Sequence, residues 1–312
     1  MPEWLIERGV GETRYALVEA GEIVEARIEL DGSQRAGSVI AVRLVSVASR
    51  NALARDERGT EYLLPSGAPG VTEGAKLNIE ITREAIPGAE PWKRPLAQVT
   101  DEPIRSAPEL QARLAVRGEL DLAGWEDVIE QARTGIAVFA GGELRIEPTS
   151  AMTLIDVDGY LPPNELAVAG AGQAAKAIRR LDIGGSIGID LPTTGSKAPR
   201  QRAAEAIDAF LPQPFERTAV NGFGFVQVVR PRQRASLIEL AQDRASFEAR
   251  ALLRRAAFEP AGAKRLIAHP AVVAVLESHS EWLDALARQV GGAVGLRADP
   301  VLPMSGGYAE KG

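Results

Sequence analysis

Three aspartates have the residue type and the spacing that could bind a hard divalent cation. Asp156 and Asp158 stand two apart at the end of the apolar segment TLIDVD, so their side chains share one face of an extended strand. Asp190 ends a second apolar segment, GSIGID, and meets them if the two strands are joined side by side by a helical crossover. Magnesium prefers such oxygen ligands, and a bound ion polarises phosphodiesters and activates water. The alternative is that these are ordinary strand-end acids that cap a helix or face solvent.

The chain between these acids also resembles a nucleotide-binding pattern. Residues 170–175, GAGQAA, fit GxGxxA ahead of a helix, and Asp190 follows Gly172 by 18 residues. Against this interpretation, Pro162 and Pro163 leave only a short strand before the glycines, whereas a buried parallel strand is normally a longer apolar run. Small residues at the start of a tightly packed helix explain the pattern equally well.

Two groups of arginines could hold phosphates. Arg230, Arg232 and Arg234 alternate after the apolar segment FGFVQVV and would point the same way on an extended chain, as phosphate ligands do. A solvated strand end is the alternative. Arg200 and Arg202 belong to the tract SKAPRQR, which is either a basic loop over a nucleic acid or the flank of a helix N-terminus.

The composition removes several kinds of chemistry. The chain of 312 residues has no cysteine and two histidines, which excludes disulfides, thiol catalysis, thiolate metal sites and a multi-histidine metal site. The net charge of −6 disfavours non-specific binding of nucleic acid by the whole molecule. The charge is uneven, however, with a balance of −8 over residues 101–175 and +6 over residues 196–265. A polyanion could follow the second region and avoid the first.

The sequence also predicts where the protein resides. No apolar run approaches the roughly 20 residues of a membrane helix. Residues 1–12 lack a basic start followed by an apolar core, so no signal peptide is indicated. We therefore expect neither a membrane span nor secretion, and a cytoplasmic location.

The elements that must position these residues can be predicted from the hydrophobic pattern. Residues 13–30 alternate around Ala20 and Gly21, which predicts a hairpin, and the short strands over residues 37–100 predict a small barrel such as an OB fold. Another hairpin, with Gly141 and Gly142 as its turn, leads into TLIDVD. The helices are predicted at residues 106–115, 123–133, 172–182, 201–212, 242–258, 270–277 and 281–290, with a last strand at 293–298.

This order of elements predicts an α/β (α+β multidomain) protein. The expected domains are an N-terminal hairpin that packs on the core (1–35), an OB-fold barrel (36–102), an α/β core with acidic strand ends (103–235) and a small C-terminal α/β domain (236–312).

Several motifs together resemble the ribonuclease E/G family. The segment ETRYALVEAGEIVE at 12–25 is similar to the family's opening ETRxAxxExGxxxE. GGELRIEPTSAMTLIDVD at 141–158 and LDIGGSIGID at 181–190 resemble its paired GGxxxIxxTEAxxxIDVN and RDIGGxIxID motifs. VNGFGFVQVVRPR at 220–232 is similar to the strand that ends in RxR, and ESHSEWLDALARQVGGAVGLRADP to the small C-terminal domain. The match covers nearly the whole chain in the family's order.

The resemblance implies a magnesium-dependent endoribonuclease that cuts single-stranded RNA and leaves 5′-phosphate and 3′-hydroxyl ends. Carried over by position, Asp156 and Asp190 match the family's magnesium-binding aspartates, and Asp158 stands where the family has an asparagine that contacts the scissile phosphate. Arg230 and Arg232 would hold phosphates, and Arg200 and Arg202 would guide the strand. We expect Asp156 and Asp190 to converge on a shared cation in a groove that also contains Arg230.

The chain departs from the family's pattern at several positions. Thr193 replaces an acid, and Leu53 and Leu63 replace barrel phenylalanines that stack on RNA. The connector at 101–135 is too short for the region that senses a 5′-monophosphate, so cleavage should not depend on that group. The zinc-linking cysteine pair is absent, which allows a homodimer but no zinc-linked tetramer.

Two other functions remain open from the sequence. One is an RNA-binding or assembly protein that keeps the fold without turnover, which the missing aromatics and Asp158 favour. The other is a nucleotide-dependent enzyme that uses the GAGQAA segment.

Overall fold

The structure is a computed structural model and describes residues 2–48, 50–87 and 93–312. It is a mixed α/β protein with a closed barrel and three further sheets among these residues. The strands are β1 (Glu3–Arg8), β2 (Glu12–Glu19), β3 (Glu22–Leu30), β4 (Val39–Val47), β5 (Ala52–Arg55), β6 (Glu61–Leu64), β7 (Lys76–Arg83), β8 (Leu96–Thr100), β9 (Arg113–Leu114), β10 (Ile136–Phe139), β11 (Gly142–Pro148), β12 (Thr153–Gly159), β13 (Gly185–Asp190), β14 (Glu216–Arg217), β15 (Phe225–Arg230), β16 (Lys264–Ala268), β17 (Val294–Ala298) and β18 (Tyr308–Lys311). The α-helices are α1 (Glu119–Leu122), α2 (Trp125–Thr134), α3 (Pro163–Arg180), α4 (Lys197–Phe210), α5 (Leu237–Gln242), α6 (Arg244–Phe258), α7 (Pro270–Ser278) and α8 (Ser280–Val290).

The described residues fall into two compact units, each built from separate stretches of chain. The first unit draws on the described residues within 2–31, 112–128 and 240–312, and the second on those within 32–111 and 129–239. This division groups the N-terminal strands with the C-terminal helices. It does not test the four predicted domain ranges, which stay predictions.

The second unit contains the barrel, in which the strands close in the order β4-β5-β6-β8-β7. Alternation places small and branched side chains inside, and the interior is completed by the buried ring of Tyr62, whose hydroxyl donates to Asp56 over 2.9 Å. The sequence prediction of a small barrel is confirmed.

A six-stranded sheet in the same unit has the order β10-β11-β12-β13-β15-β14. Only β12 and β13 are parallel, and α3 is the crossover that joins them. Ile155 and Val157 of β12 and Ile187 and Ile189 of β13 are buried. Gly170 of α3 lies so close to Val157 that an added Cβ would stand 2.3 Å from its Cγ1, so α3 covers this face of the sheet. The opposite face of these strands is open.

The first unit contains a buried network of charges. Arg14, which is 1% exposed, donates to Glu12 over 2.6 Å and to Glu7 over 2.9 Å. From α6, Arg250 pairs with Glu12 at 3.0 Å and Arg254 pairs with Glu7 at 2.7 Å. The two glutamates therefore tie β1 and β2 to α6.

Two predicted elements differ from the structure. The helix predicted at 106–115 is wrong: residues 106–112 have no regular structure, and β9 pairs with β1. Pro108 lies within this stretch and disfavours the helical conformation of the residue before it. The helix predicted at 172–182 begins at Pro163 instead, because a proline at the first position of a helix needs no hydrogen-bond partner.

The other predicted helices and the N-terminal hairpin are confirmed within a few residues, and the helix predicted at 242–258 is α6. The short helix α5 before it was not predicted. The two helices separate at Asp243, whose carboxylate accepts a hydrogen bond from the Ser246 amide and so begins α6. Among the described residues, none of the helices combines the length and the apolar composition needed to cross a bilayer.

Candidate active site

The acids singled out by the sequence lie at the carboxyl ends of β12 and β13. Asp156 and Asp190 are direct partners in the parallel pairing of these strands. Paired residues point to the same side of a sheet, and their neighbours Ile155 and Ile189 are buried on the other side. Both carboxylates are therefore on the open face and are exposed, as the sequence predicts for two strands joined by a helical crossover.

Asp158 shares this face, two residues beyond Asp156. The neighbouring strand β11 places Arg145 opposite Asp156 and Glu143 opposite Asp158, and these two residues form an ion pair at 2.7 Å. Partial burial of its carboxylate raises the pKa of Asp156, and the negative charges of Asp158 and Asp190 raise it further, while Arg145 acts against them. The acids therefore interact electrostatically across the two strands.

The carboxylates of Asp156 and Asp190 suit a cation whose remaining ligands are water molecules. Within residues 2–48, 50–87 and 93–312, no group of three or more histidine, aspartate or glutamate side chains could hold a metal ion. Magnesium needs fewer protein ligands than that, because one or two carboxylates with several waters and a substrate phosphate often suffice. The neighbouring carboxylates of Asp156 and Asp190 fit this requirement.

The open face beside the acids has an apolar floor. Phe225 of β15 is the direct partner of Asp190, and Leu154 of β12 is the partner of Gly188. An added Cβ at Gly188 would stand 2.6 Å from the Phe225 ring and 3.0 Å from Leu154, so both side chains extend over this glycine. Position 188 requires glycine, because any larger residue would displace the Phe225 and Leu154 side chains that lie over it beside the acids.

Comparison of the sequence with protein-family models and with curated proteins finds no match.

The expectation that Arg230 shares a groove with the acids is wrong. Arg230 stands five positions after Phe225, and an odd difference in position on a strand reverses the face. The Arg230 guanidinium donates to the carbonyl of Ile183 over 2.9 Å, and more weakly to that of Ile178 in α3. Arg230 therefore lies on the helix-covered side of the sheet.

The two following arginines pair with acids of this unit. Strand β15 ends at Arg230, so the predicted extended alternation does not continue to Arg234. Arg232 pairs with Glu239, and Arg234 pairs with Asp182 at 2.9 Å. Arg83, at the end of β7, lies near Arg232, and its pKa is lowered by burial and by that positive charge. Arg232 is thus part of a basic pair that Glu239 partly neutralises.

Arg200 and Arg202 lie on the first turns of α4, which begins at Lys197, and not in a loop. Arg200 donates to the Thr194 carbonyl at 3.4 Å, and Arg202 is exposed. In the barrel, Leu53 and Leu63 are direct partners on neighbouring strands and are half-buried. Their buried neighbours, Ala52 and Leu64, belong to the interior, so this pair faces outward.

The dinucleotide-binding interpretation of GAGQAA is not compatible with the helix bounds. That fingerprint requires the glycines in the turn between a strand and a helix. Here the preceding ELAV is already helical, and Gly170 and Gly172 lie in the interior of α3. Gly170 allows close packing on Val157, and Gly172 on Phe210 of α4, so helix packing explains both glycines.

Two aromatic residues that the sequence pattern did not indicate lie at the same edge of the sheet. Tyr160 follows Asp158 and is 85% exposed, and Phe223 precedes Phe225 and is 83% exposed. Sequence alone gives little sign of this, because aromatic residues are usually packed inside. The only available signal was their position beside the acidic strand ends.

Proposed function

We propose that this chain is a magnesium-dependent endoribonuclease that cleaves single-stranded RNA without requiring a 5′-monophosphate. The observation that carries the proposal is the direct pairing of Asp156 and Asp190 on one open face, at the carboxyl ends of parallel strands. The raised pKa of Asp156 supports it, because its causes are burial and then the charges of Asp158 and Asp190, and a cation bound between the acids would offset both.

In this proposal Asp156 and Asp190 hold the cation. When bound, magnesium would polarise the scissile phosphodiester and lower the pKa of a water molecule. Asp158 lies on the same face, where its carboxylate can orient the attacking water or the substrate. The unit that contains these acids has no histidine of its own, so within it carboxylates and water are the groups that could transfer protons.

The barrel supports RNA binding by its topology. Its five strands close in the order first, second, third, fifth, fourth, and the third and fifth are parallel. We interpret this Greek-key barrel as an OB fold, whose second and third strands commonly bind oligonucleotides. Leu53 and Leu63 lie on those two strands and face outward, so they offer apolar contact where aromatic residues would stack.

The direct test is metal-dependent cleavage of a labelled single-stranded RNA. The parent protein should cleave it with magnesium and not with EDTA, and Asp156→Asn or Asp190→Asn should reduce the rate at least about 100-fold, since each removes half of the cation's protein ligands. Glu147→Gln is the matched control, because Glu147 is an exposed acid on the same face of neighbouring β11. Equal cleavage by all four proteins would contradict the proposal.

The same assay tests independence of the 5′ end. RNAs that carry a 5′-triphosphate or a 5′-monophosphate should be cleaved at similar rates. A large preference for the monophosphate would show that this part of the proposal is incorrect.

The second candidate is an RNA-binding or assembly protein without turnover. The observation that favours it is the position of Arg230, which leaves no phosphate ligand from that residue on the acidic face. RNA binding that persists in Asp156→Asn and Asp190→Asn, without magnesium-dependent cleavage by the parent, would favour this candidate.

A further inference from the structure

The two most exposed aromatic side chains of the described residues lie at the same edge of the six-stranded sheet. Tyr160 is 85% exposed and Phe223 is 83% exposed, whereas the next most exposed described rings, Phe210 and Tyr308, are 46% and 44% exposed. An aromatic ring in water forgoes the burial that normally stabilises the fold, so two such rings at one site indicate a binding surface.

Phe223 is held at the tip of a rigid turn. The side-chain oxygen of Asn221 accepts hydrogen bonds from the amides of Phe223 and Phe225, over 2.9 and 3.0 Å. Gly224 has a φ of +96°, and an added Cβ would stand 2.1 Å from the Leu191 carbonyl oxygen, so only glycine fits beside the exposed ring. The backbone at Phe223 is therefore fixed, although its ring is exposed to solvent.

The turn is also bound to the chain that follows Asp190. The hydroxyl of Thr193 donates to the Phe223 carbonyl over 3.1 Å, and the amide of Leu191 donates to the Gly224 carbonyl over 3.3 Å. These bonds hold the exposed ring next to the acidic end of β13.

Tyr160 lies beyond the acidic end of the neighbouring strand. It comes two residues after Asp158, and its amide donates to the Gly141 carbonyl over 3.1 Å. Since β12, β13 and β15 are adjacent in that order, Asp190 lies between the strand end that leads to Tyr160 and the turn that carries Phe223.

The charge of this face determines what kind of contact can attract RNA. Asp156, Asp158 and Asp190 repel a phosphate backbone, and Arg145 is already paired with Glu143. Uncharged contact with the bases does not suffer from this repulsion, and base stacking on an aromatic ring is independent of sequence.

We propose that Phe223 and Tyr160 form a stacking platform for two bases of a single-stranded RNA, one on each side of the phosphate that faces Asp156 and Asp190. This inference rests on the proposed function and specifies its substrate as an RNA whose bases are unpaired and unstacked. A duplex cannot use the platform, because its bases are already stacked on each other.

The test is equilibrium binding of a fluorescein-labelled single-stranded decaribonucleotide in EDTA, measured by fluorescence anisotropy. Phe223→Ala and Tyr160→Ala should each weaken binding about tenfold, the lower part of the range for one stacked base. Tyr160→Phe keeps the ring and should bind like the parent. Phe210→Ala is the matched control, since this half-exposed ring lies on α4 and contacts Gly172 and Lys176.

A second probe separates stacking from other effects of the substitutions. On a decaribonucleotide with two central abasic sites, the parent and both alanine variants should bind equally weakly. The platform is refuted if the alanine variants bind the intact RNA within twofold of the parent, or if the parent does not bind RNA. It is also refuted if the substitutions weaken binding of the abasic RNA, relative to the parent, as much as binding of the intact RNA.

Cleavage measured in parallel distinguishes this inference from the proposed function. RNA binding that depends on the two rings, without magnesium-dependent cleavage, would support the platform and contradict the proposed nuclease activity. If Phe223→Ala and Tyr160→Ala cleave RNA with the same KM as the parent, the platform is contradicted and the proposed nuclease activity is supported.

Discussion

At the scale of single residues, Asp156 has a carboxylate that folding disfavours. Burial and the neighbouring acids raise its pKa above that of the unfolded chain. The folded protein therefore loses stability as the pH rises through this range, and at neutral pH the loss is complete. A residue that lowers stability in this way is typical of a site selected for binding or catalysis.

Replacing Asp156 by asparagine should consequently stabilise the metal-free protein. We expect Asp156→Asn in EDTA to raise the free energy of unfolding at pH 7 by about 0.5 kcal/mol, a small value because solvent screens an exposed carboxylate. The gain should shrink as the pH falls through about 4 and disappear near about pH 3, where the carboxyl is largely protonated in both states. Urea titrations between pH 3 and 7 would measure it. A loss of stability at pH 7, or a gain that does not depend on pH, would contradict this explanation.

The residues of the site differ in how far sequence could predict them. The meeting of Asp156 and Asp190 follows from two strand ends joined by a helix. The face of Arg230 does not follow, because it depends on the register of β15 against β13 and on the end of the strand at this residue. The exposure of Phe223 depends on Asn221, Thr193 and Gly224 acting together, which no local pattern reveals.

At the scale of elements, α3 depends on small side chains to approach the sheet. Gly170→Ala should lower the free energy of unfolding by about 1–3 kcal/mol, because its Cβ would stand 2.3 Å from Val157 within a packed layer. Gly172→Ala is the matched control on the same helix. Its Cβ would stand 3.3 Å from the half-exposed Phe210 ring, which can shift, so the higher helix propensity of alanine should leave stability equal or raise it by up to about 1 kcal/mol.

Thermal and urea unfolding of both variants would measure this difference. Equal losses would mean that α3 does not need glycine for close packing on Val157. Selective loss of NAD binding, with stability unchanged, would instead revive the nucleotide interpretation of the segment.

Arg230 joins the end of β15 to the end of α3. Arg230→Gln should lower the free energy of unfolding by about 1–3 kcal/mol, because the carbonyls of Ile183 and Ile178 lose a charged donor. Any loss of RNA affinity should then accompany the loss of stability. If the variant keeps its stability in urea and still binds RNA less tightly, the original prediction of a phosphate-binding role would be supported.

The elements were predictable where hydrophobic periodicity is strong, and less so elsewhere. The barrel strands and the helices α4, α6, α7 and α8 follow their periodic patterns closely, whereas the short helix α5 was not predicted. The start of α3 was missed because two prolines normally indicate an interruption, whereas Pro163 is accommodated at the first helical position. The pairing of β9 with β1 could not be predicted, since it joins residues more than 100 positions apart.

At the scale of the whole molecule, the buried charges of the first unit hold together distant parts of the chain. Arg250→Met should lower the free energy of unfolding by about 3–5 kcal/mol, because it leaves Glu12 buried with one cation fewer. Arg297→Met is the matched control in the same unit, since its contact with Glu310 is 3.9 Å long and exposed, and it should change stability by less than about 0.5 kcal/mol. Urea unfolding followed by tryptophan fluorescence would compare them, and similar effects would contradict a structural role for the buried network.

Because the first unit is discontinuous in sequence, its parts are synthesised at different times and cannot fold together at once. Residues 2–31 leave the ribosome before the helices that bury Val10 and supply Arg250 to Glu12, which follow about 210 residues later. At roughly 5–20 residues per second, the first strands wait about 10–40 s for their partners. During that interval the second unit can fold to completion, while an early sheet with exposed apolar side chains, in which Glu7 and Glu12 share the single cation of Arg14, is open to chaperones.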